Sequence, residues 1–208
     1  MKSPEKGIKK IFFNGCTFYV LQKVYEPAED TFLLAENLVV NRDDVVLDVG
    51  TGCGILGILA AKKAKKVVAT DINPYAVKCA RINARQNGVL AKMDIRLGSL
   101  FEPIKDSEKF DVVVFNAPYL PTSRSEKKSL TDRAWSGGQR GRDVIDPFIF
   151  EAPKYLKKKN NRIFLVQSSL SDIDETIWRF RERGLKAKVI AEKKFPFETI
   201  VVIRAVFS

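Results

Sequence analysis

Short apolar runs alternate with amphipathic segments along most of this chain. From residue 44 onward, runs rich in β-branched and aromatic residues predict seven strands, at residues 45–49, 67–70, 95–97, 110–115, 162–167, 187–191 and 199–207. Segments with helical spacing lie between most of them, at residues 54–63, 74–87, 144–155 and 171–183. This alternation predicts an α/β fold with a mostly parallel seven-stranded sheet and helices on both faces. The last two strands, separated around Pro196, pair most simply as antiparallel neighbours, which gives an antiparallel C-terminal strand.

A hairpin and a helix precede this alternating region. Asn14-Gly15 lies between two β-rich runs, and this dipeptide is the strongest short signal of a β-hairpin. Pro27, followed by the acidic Glu29 and Asp30, is typical of a helix start, and apolar residues at helical spacing continue to Val39. We expect a single domain over residues 1–208, with an N-terminal hairpin and helix (8–41) before a cofactor-binding core (42–208).

The composition narrows the class of protein. No apolar run approaches the roughly 20 residues of a membrane span, and the basic N-terminus lacks the apolar region of a signal peptide. Three scattered cysteines (Cys16, Cys53 and Cys79) argue for a reducing compartment, so we expect a cytoplasmic protein. The sequence contains no histidine, which excludes a Ser-His-Asp mechanism and a His-built metal site, and we expect no bound metal.

The net charge of +11 favours an acidic partner, most simply RNA or a ribonucleoprotein. Much of the excess lies in short lysine runs, such as Lys62-Lys63 and Lys157-Lys158-Lys159, which are also typical of solvated helix ends and loops. Charge alone does not locate a binding groove. RNA contact through a basic surface and ordinary solvated charge therefore both stay open.

The first core strand leads into a glycine-rich turn. Residues 46–54 read Val-Leu-Asp-Val-Gly-Thr-Gly-Cys-Gly, and a helix follows. Glycine lets the backbone bend sharply and approach a ligand, and the helix N-terminus supplies free N–H groups. Asp71 lies about 20 residues downstream, where an acidic side chain binds the hydroxyls of a ribose. The pattern predicts an adenosine-containing cofactor.

The glycine spacing indicates which cofactor. Gly50, Gly52 and Gly54 form G-x-G-x-G, whereas a dinucleotide site prefers G-x-G-x-x-G. Asp48, two residues before the first glycine, would repel a pyrophosphate but suits an amino group, such as the α-ammonium of S-adenosylmethionine. No Gly-Lys-Ser/Thr follows, which excludes a P-loop. A tight turn without a ligand is the simpler alternative, but the acids at two strand ends favour a cofactor site.

The stretch Gly98-Ser99-Leu100 ends the third core strand. In such a fold it passes the adenine, with Ser99 near the amino group and Leu100 near the ring. A plain exit from the strand explains the same residues equally well.

The tetrapeptide Asn116-Ala117-Pro118-Tyr119 follows a buried strand and points to the acceptor chemistry. The Asn116 side chain has an acceptor oxygen, and Pro118 has no N–H and stiffens the turn, which leaves the Ala117 carbonyl free. These two acceptors and the flat ring of Tyr119 can hold a planar group that bears an NH2. A common polar turn after a strand is the alternative interpretation.

Taken together, these residues resemble the class I S-adenosylmethionine methyltransferases with a Rossmann-like fold. More narrowly, the chain resembles the HemK-related release-factor glutamine methyltransferases, in the eukaryotic and archaeal branch. The resemblance rests on four stretches, at residues 24–32, at the Gly50 turn with residues 71–74, at residues 116–119, and at residues 134–138 with Gly141-Arg142.

The resemblance implies methyl transfer from S-adenosylmethionine to the amide nitrogen of a glutamine in the Gly-Gly-Gln motif of a translation release factor. It implies acceptor binding by the tetrapeptide, and cofactor contacts at Thr31, Asp48, Gly50, Gly52, Asp71, Ile72, Ser99, Leu100 and Asn116. It also implies a small zinc-binding activator of the Trm112 type, which adds to the sheet edge near the third core strand. Lysine in proteins is a second acceptor in this family, and an exocyclic amino group of RNA or DNA fits the same acceptors.

Two residues depart from the family pattern. Ala117 replaces the first proline of the usual Asn-Pro-Pro-Tyr, which affects the rigidity of the turn rather than its carbonyl. Ser99 replaces a frequent aspartate and still offers a hydroxyl to the adenine. The polar segment at residues 122–142 is too long for a plain connection, and we interpret it as a substrate loop or lid.

Overall fold

The structure is a computed structural model that describes residues 8–122 and 136–207. Most of the segment interpreted as a substrate loop, residues 123–135, lies outside the described residues. At the N-terminus, β1 (Lys9–Phe13) and β2 (Cys16–Val20) pair as the predicted antiparallel hairpin. Its turn residues Asn14 and Gly15 have φ values of 46° and 71°, as the favoured two-residue hairpin turn requires.

Seven strands form the main sheet, namely β3 (Val45–Val49), β4 (Lys66–Asp71), β5 (Met93–Leu97), β6 (Val112–Asn116), β7 (Arg162–Ser168), β8 (Leu185–Lys194) and β9 (Thr199–Phe207). Their spatial order is β5-β4-β3-β6-β7-β9-β8. The first five strands in that order run parallel, and β9 is antiparallel to both β7 and β8. The predicted α/β class, the mostly parallel sheet and the antiparallel C-terminal strand are confirmed.

The helices of the described chain cover both faces of this sheet. They are α1 (Glu29–Asn37), α2 (Ile55–Ala61), α3 (Pro74–Gln86), α4 (Ile145–Tyr155) and α5 (Ile173–Glu182). Val46 and Leu47 are neighbours on β3 and belong to different hydrophobic clusters, because successive strand side chains point to opposite faces. Ile58 of α2 belongs to the first cluster, and Phe148 of α4 to the second.

Two asparagines, Asn83 on α3 and Asn87 just after it, attach the hairpin to the core. The Asn83 Oδ1 accepts from the Tyr19 N–H at 2.8 Å, and its Nδ2 donates to the Tyr19 carbonyl at 2.8 Å. Four residues later, Asn87 makes the same pair of bonds to the backbone of Thr17, at 3.0 and 2.8 Å. Side chains four residues apart lie on one helix face, so the two amides bind β2 as a neighbouring strand would.

Some element boundaries differ from the predicted ones for physical reasons. Helix α1 ends at Asn37, because Leu38 already has an extended backbone with ψ of 108°. Strand β8 runs from Leu185 to Lys194, well beyond residues 187–191, since its polar and charged positions lie at the sheet edge and produce no apolar run. None of the helices described here combines the length and the apolar composition of a membrane span.

Candidate active site

A cavity of about 650 Å³ opens at the carboxyl ends of β3, β4 and β6. The chain runs from β3 outward to β5 and then continues on the other side of β3 with β6, and open α/β sheets bind ligands at such a point. Every predicted site residue except Asp48 lines this cavity: Thr31, Gly50, Gly52, Asp71, Ile72, Ser99, Leu100, Asn116, Ala117, Pro118 and Tyr119.

The glycine-rich turn has a backbone that side chains rarely adopt. Gly50, Gly52 and Gly54 have φ values of +63°, +58° and +90°, in the left-handed region that favours glycine. A Cβ at Gly54 would lie 3.1 Å from the Cα of Ala80 on α3, so this glycine permits close packing of the turn on that helix. At Gly52 no atom lies within 4 Å of the position that a Cβ would take, which leaves open space along the cavity for a cofactor.

Asp71 stands at the end of β4 with both carboxylate oxygens engaged by the backbone. Its Oδ2 accepts from the Gly52 N–H and its Oδ1 from the Asn73 N–H, each at 2.8 Å. Burial raises the pKa of Asp71, and the two N–H bonds oppose that shift. Because a carboxylate has about four acceptor positions, Asp71 retains one on each oxygen, as the predicted contact with the two hydroxyls of a ribose requires.

Asp48 lies beneath the turn rather than on the cavity wall. It is fully buried, and its Oδ2 accepts from the Thr51 Oγ1 at 2.6 Å and from the Gly57 N–H at 2.9 Å. Burial raises the pKa of Asp48 to about 7. Its Oδ1 has no hydrogen-bond partner in the described part of the chain. The carboxylate therefore holds the turn against α2, and its contact with a cofactor amino group stays a prediction.

The loop after β5 forms the wall beside Asp71. Leu100 has φ of +45°, and its carbonyl accepts from the Thr70 Oγ1 at 3.1 Å, which fixes the loop to β4. The Ser99 N–H donates to Glu102 at 3.0 Å, and Ser99 lines the cavity. Ile72 is half exposed and adds apolar surface next to the predicted ribose position. This combination suits a purine ring.

Asn116 stands at the end of β6 with its carboxamide held in one orientation. The Nδ2 donates to Asp30 Oδ2 at 3.1 Å and to Thr31 Oγ1 at 3.0 Å. Both N–H groups are thus used within the protein. The Oδ1 is buried and has no partner among residues 8–122 and 136–207. An unpaired buried oxygen in the cavity wall is an acceptor for a ligand N–H.

Asp30 and Tyr25 lie in the stretch 24–32 that carries the family resemblance, but no role at the site was predicted for either residue. The Tyr119 hydroxyl donates to the Asp30 Oδ2 at 3.2 Å, and the Tyr25 hydroxyl donates to both oxygens at 3.1 Å. Burial raises the pKa of Tyr119, and the nearby Asp30 charge raises it further. In the sequence, Asp30 is an ordinary acidic residue in the first turn of a helix, and its spacing offers no other signal.

Residues 136–142 support the tetrapeptide from behind. The Gly137 N–H donates to the Leu120 carbonyl at 2.9 Å, and the Thr122 N–H donates to the Gly138 carbonyl at 2.8 Å. Arg142 is buried, and its guanidinium donates to the carbonyls of Ser171 and Asp172 and to Asp146. This described part of the predicted substrate loop is therefore a fixed support for Tyr119 and Leu120.

Gly141→Ala tests this support. Gly141 has φ of +70°, and a Cβ there would lie 2.2 Å from the carbonyl oxygen of Tyr119. We expect a loss of stability of about 2–5 kcal/mol from strain and overpacking, and a fall in turnover of more than about tenfold because the acceptor site is displaced. Gly184→Ala is the matched control, since Gly184 has φ of +79° and no atom within 4 Å of its Cβ position. Urea unfolding and single-turnover assays measure both effects, and equal losses in the two variants would contradict the assignment.

The titratable residues do not assemble a metal centre in the described ranges. No group of three or more His, Cys, Asp or Glu side chains lies close enough there to hold an ion. The described lining of the cavity offers acceptor oxygens, backbone N–H groups and apolar walls.

Known methyltransferases match this chain in sequence. Residues 31–118 match the profile of the ribosomal protein L11 methyltransferase family (PrmA). That range includes the glycine-rich turn, Asp71 and Asn116. Methyltransferase HEMK2 of Homo sapiens is 32% identical over 193 residues, which cover 87% of this chain and 88% of the human protein.

One solved structure has the same architecture and a sequence identity of 28%. It is the Mtq2–Trm112 complex of E. cuniculi, described as responsible for methylation of the termination factor eRF1, and its matching chain aligns with a TM-score of 0.69. The alignment covers 90% of this chain and all of that one. A protein of Methanocaldococcus jannaschii that bears the name of a putative protein N5-glutamine methyltransferase is 47% identical over 197 residues, 94% of this chain and 98% of the relative. The chain therefore belongs to the family of the protein N5-glutamine methyltransferases.

Proposed function

We propose that this protein transfers a methyl group from S-adenosylmethionine to the side-chain amide nitrogen of a glutamine, in the Gly-Gly-Gln motif of a translation release factor. The observation that carries the proposal is the Asn116 carboxamide, whose two N–H groups are bound within the protein while its buried oxygen has no partner in the described chain. Asn116 lines a cavity that Asp71 also lines. An acceptor for an N–H group thus lies in the same cavity as a ribose-binding acid.

The residues of the cavity fit S-adenosylmethionine. Asp71 would accept the ribose hydroxyls, and Ile72 and Leu100 would pack against the adenine, since all three residues line the cavity. The open space beside Gly52 would take the methionine part. The unpaired Oδ1 of Asp48 lies beneath that turn as an acceptor for an amino group. When bound, this cofactor supplies a methyl group already activated by its sulfonium.

The chain's contribution is to orient and polarise a weak nucleophile. An amide nitrogen shares its lone pair with the carbonyl, so attack requires the N–H bonds to be held and the growing positive charge to be balanced. The Asn116 Oδ1 and the Ala117 carbonyl accept the two N–H bonds, and Tyr119 stacks on the amide plane. With the cofactor bound, the acceptor nitrogen would gain the methyl group as the S–C bond breaks with its electron pair left on sulfur, and the nitrogen would release one of its two protons to solvent. Orientation and electrostatic stabilisation of this kind supply the rate enhancement.

The relatives support the choice of substrate and partner. The E. cuniculi complex combines a structurally similar chain with Trm112 and is described as methylating eRF1. In the described part of this chain, the edge strand β5 has a single neighbour, β4, in the sheet order. Leu97 at its end is 57% exposed, and Ile82 on the adjacent α3 is also exposed. We propose that a small zinc-binding activator of the Trm112 type adds to this edge.

A methylation assay tests the function directly. The protein is produced together with the Trm112-type activator and incubated with labelled S-adenosylmethionine and a release factor. We expect label on the release factor and none on its variant with alanine in place of the motif glutamine. Peptide mass spectrometry assigns the methyl group to glutamine or to lysine.

Two controls separate the alternatives. The net charge of +11 favours an RNA acceptor or contact, so the same assay is run with total RNA in place of the release factor. Label on RNA alone, or equal label on the glutamine and alanine forms of the release factor, would overturn the proposed function. Omission of the activator reports whether the partner is needed for activity.

A further inference from the structure

The Asp30 carboxylate is the centre of the hydrogen bonds around the acceptor site. It is 6% exposed and lies in the first turn of α1. Its Oδ1 accepts from the Thr31 N–H at 2.6 Å and from the Thr31 hydroxyl at 3.2 Å. Its Oδ2 accepts from Asn116 and from the Tyr119 hydroxyl, and Tyr25 donates to both oxygens.

This set of donors leaves the carboxylate no free acceptor position. Four residues supply five donor groups, whereas an ionised carboxylate offers about four lone-pair positions. Asp30 lines the cavity, but its oxygens are already used within the protein. Its effect on a bound molecule must therefore pass through the groups that it holds, and in particular through Asn116.

We propose that Asp30 is a positioning residue that determines which end of the Asn116 carboxamide faces the methyl acceptor. An ionised carboxylate only accepts hydrogen bonds, so it attracts the Nδ2 of Asn116 and turns the Oδ1 toward the acceptor. The reversed amide would present two donors to an acceptor nitrogen that itself carries N–H groups. The inference deepens the proposed function and rests on it for the identity of the acceptor.

Asp30→Asn changes this property without changing the shape of the side chain. The backbone N–H of Thr31 is a fixed donor and requires an oxygen at the Oδ1 position. The new NH2 must then occupy the Oδ2 position, opposite the Nδ2 of Asn116. Tyrosine hydroxyls can rotate and accept, but Asn116 must turn over to offer its oxygen. We therefore expect the variant to present the wrong end of the amide to the acceptor.

The expected result is a fall in kcat of about 100-fold, comparable to the loss of one preorganised partner of a transition state. The KM for the release factor and the Kd for S-adenosylmethionine should change by less than about threefold. Asp30 has no free acceptor position with which to bond to either molecule. A Kd that rises as much as kcat falls would overturn the proposal, since Asp30 would then bind the cofactor.

The double variant Asp30→Asn with Asn116→Asp provides a rescue. The new amide at position 30 can donate to one oxygen of the new carboxylate, and the other oxygen again faces the acceptor. We expect kcat to recover at least about tenfold over either single variant, since the two positions act as a coupled pair. A double variant no better than the worse single variant would overturn the proposal.

Asp44→Asn is the matched control for lost stability. Asp44 is also 6% exposed and forms a buried ion pair with Arg162, but it precedes β3 and so lies at the opposite end of that strand from the cavity. We expect Asp44→Asn to lower the free energy of unfolding while leaving the kcat of the folded protein within about twofold. Equal losses of kcat in the Asp44 and Asp30 variants would show that Asp30 affects turnover only through the stability of the fold, and would overturn the proposal.

A second measurement needs no acceptor and separates this proposal from the proposed function. The Asn116 side-chain NH2 resonances, identified by their loss in Asn116→Asp, report hydrogen exchange with solvent. In the wild type both N–H groups are bonded within the protein. In Asp30→Asn we expect exchange to become faster by about tenfold or more, as the NH2 turns into the cavity. Unchanged exchange would overturn the positioning role, whether or not the release factor is a substrate.

Discussion

Asn116→Ala is expected to lower the turnover of bound substrate by about 100- to 1,000-fold, the range for loss of one preorganised group that stabilises a transition state. The Asn116 oxygen is buried without a partner in the described chain, so its bond is available to the acceptor and strengthens as positive charge grows on the nitrogen. Alanine removes this oxygen and leaves the cofactor walls at Asp71 and Leu100 in place.

Cofactor affinity should change much less than turnover. Both donors of Asn116 bond to Asp30 and Thr31, within the protein, so no strong bond to the cofactor is lost. Asp30 retains its bonds from Thr31, Tyr25 and Tyr119. We expect the Kd for S-adenosylmethionine to rise by less than about fivefold. The free energy of unfolding should fall by about 2–4 kcal/mol, because two buried hydrogen bonds are lost and one of them is to a carboxylate.

Single-turnover kinetics and calorimetric titration separate these quantities. Asn87→Ala is the matched control, because it removes an asparagine that bonds the hairpin backbone at Thr17, outside the cavity. The control should lose similar stability and keep its turnover. If turnover and cofactor affinity fell by the same factor in Asn116→Ala, the assignment of Asn116 to the acceptor would be wrong.

The sheet was predictable from the chain because its signals are local. β-Branched runs bounded by glycine and charged residues predicted every core strand, and the Asn14-Gly15 turn predicted the hairpin. The predicted strand boundaries were wrong where a strand has exposed positions and therefore no apolar run. Strand β8 has charged residues at the sheet edge, and its backbone bonds to β9 rather than an apolar pattern fix its length.

The candidate site also contains residues that local sequence signals reveal and residues that only the tertiary structure reveals. Motif spacing identified the glycine turn, Asp71 and Asn116, because each lies at or directly after the end of a strand whose position is fixed by the fold. Asp30 could not be found in this way. Its bond to Asn116 joins residues 86 positions apart, and its partners are determined by how α1 packs beside β6. The attachment of the hairpin through Asn83 depends on tertiary packing for the same reason.

Asp48 illustrates a different limit of prediction from residue spacing. Its place before the first glycine suggested contact with an amino group, and this contact stays a prediction. The structure adds a second role, because the side chain lies beneath the turn and bonds to Thr51 and Gly57. Spacing locates a residue along a strand, but the alternation of side chains decides which face of the sheet it occupies. A residue of the correct type can thus support the cofactor site from inside the core.

Asp71→Ala is expected to weaken S-adenosylmethionine binding by about 100-fold or more, since bonds to a charged group contribute about 1.5–3 kcal/mol each. The variant loses the acceptors for the ribose and also the two bonds that fix the backbone at Gly52 and Asn73. At saturating cofactor we expect kcat to fall by less than about tenfold, because Asn116 and Tyr119 lie on another strand end and are unchanged. The pattern is the reverse of that expected for Asn116→Ala.

Asp71→Asn should recover little of this affinity, although it preserves the shape. Backbone N–H groups donate to both oxygens, at 2.8 Å each, so the new NH2 must face one of them donor to donor. Asp94→Asn is the control, since Asp94 lies on the adjacent β5 and pairs with Arg96 on the surface. Titration calorimetry with S-adenosylmethionine checks all three variants. A Kd in Asp71→Asn within about threefold of the wild type would mean that the Asp71 carboxylate does not bind the cofactor. A threefold change corresponds to roughly 0.7 kcal/mol, which is less than the loss of one hydrogen bond to a charged group.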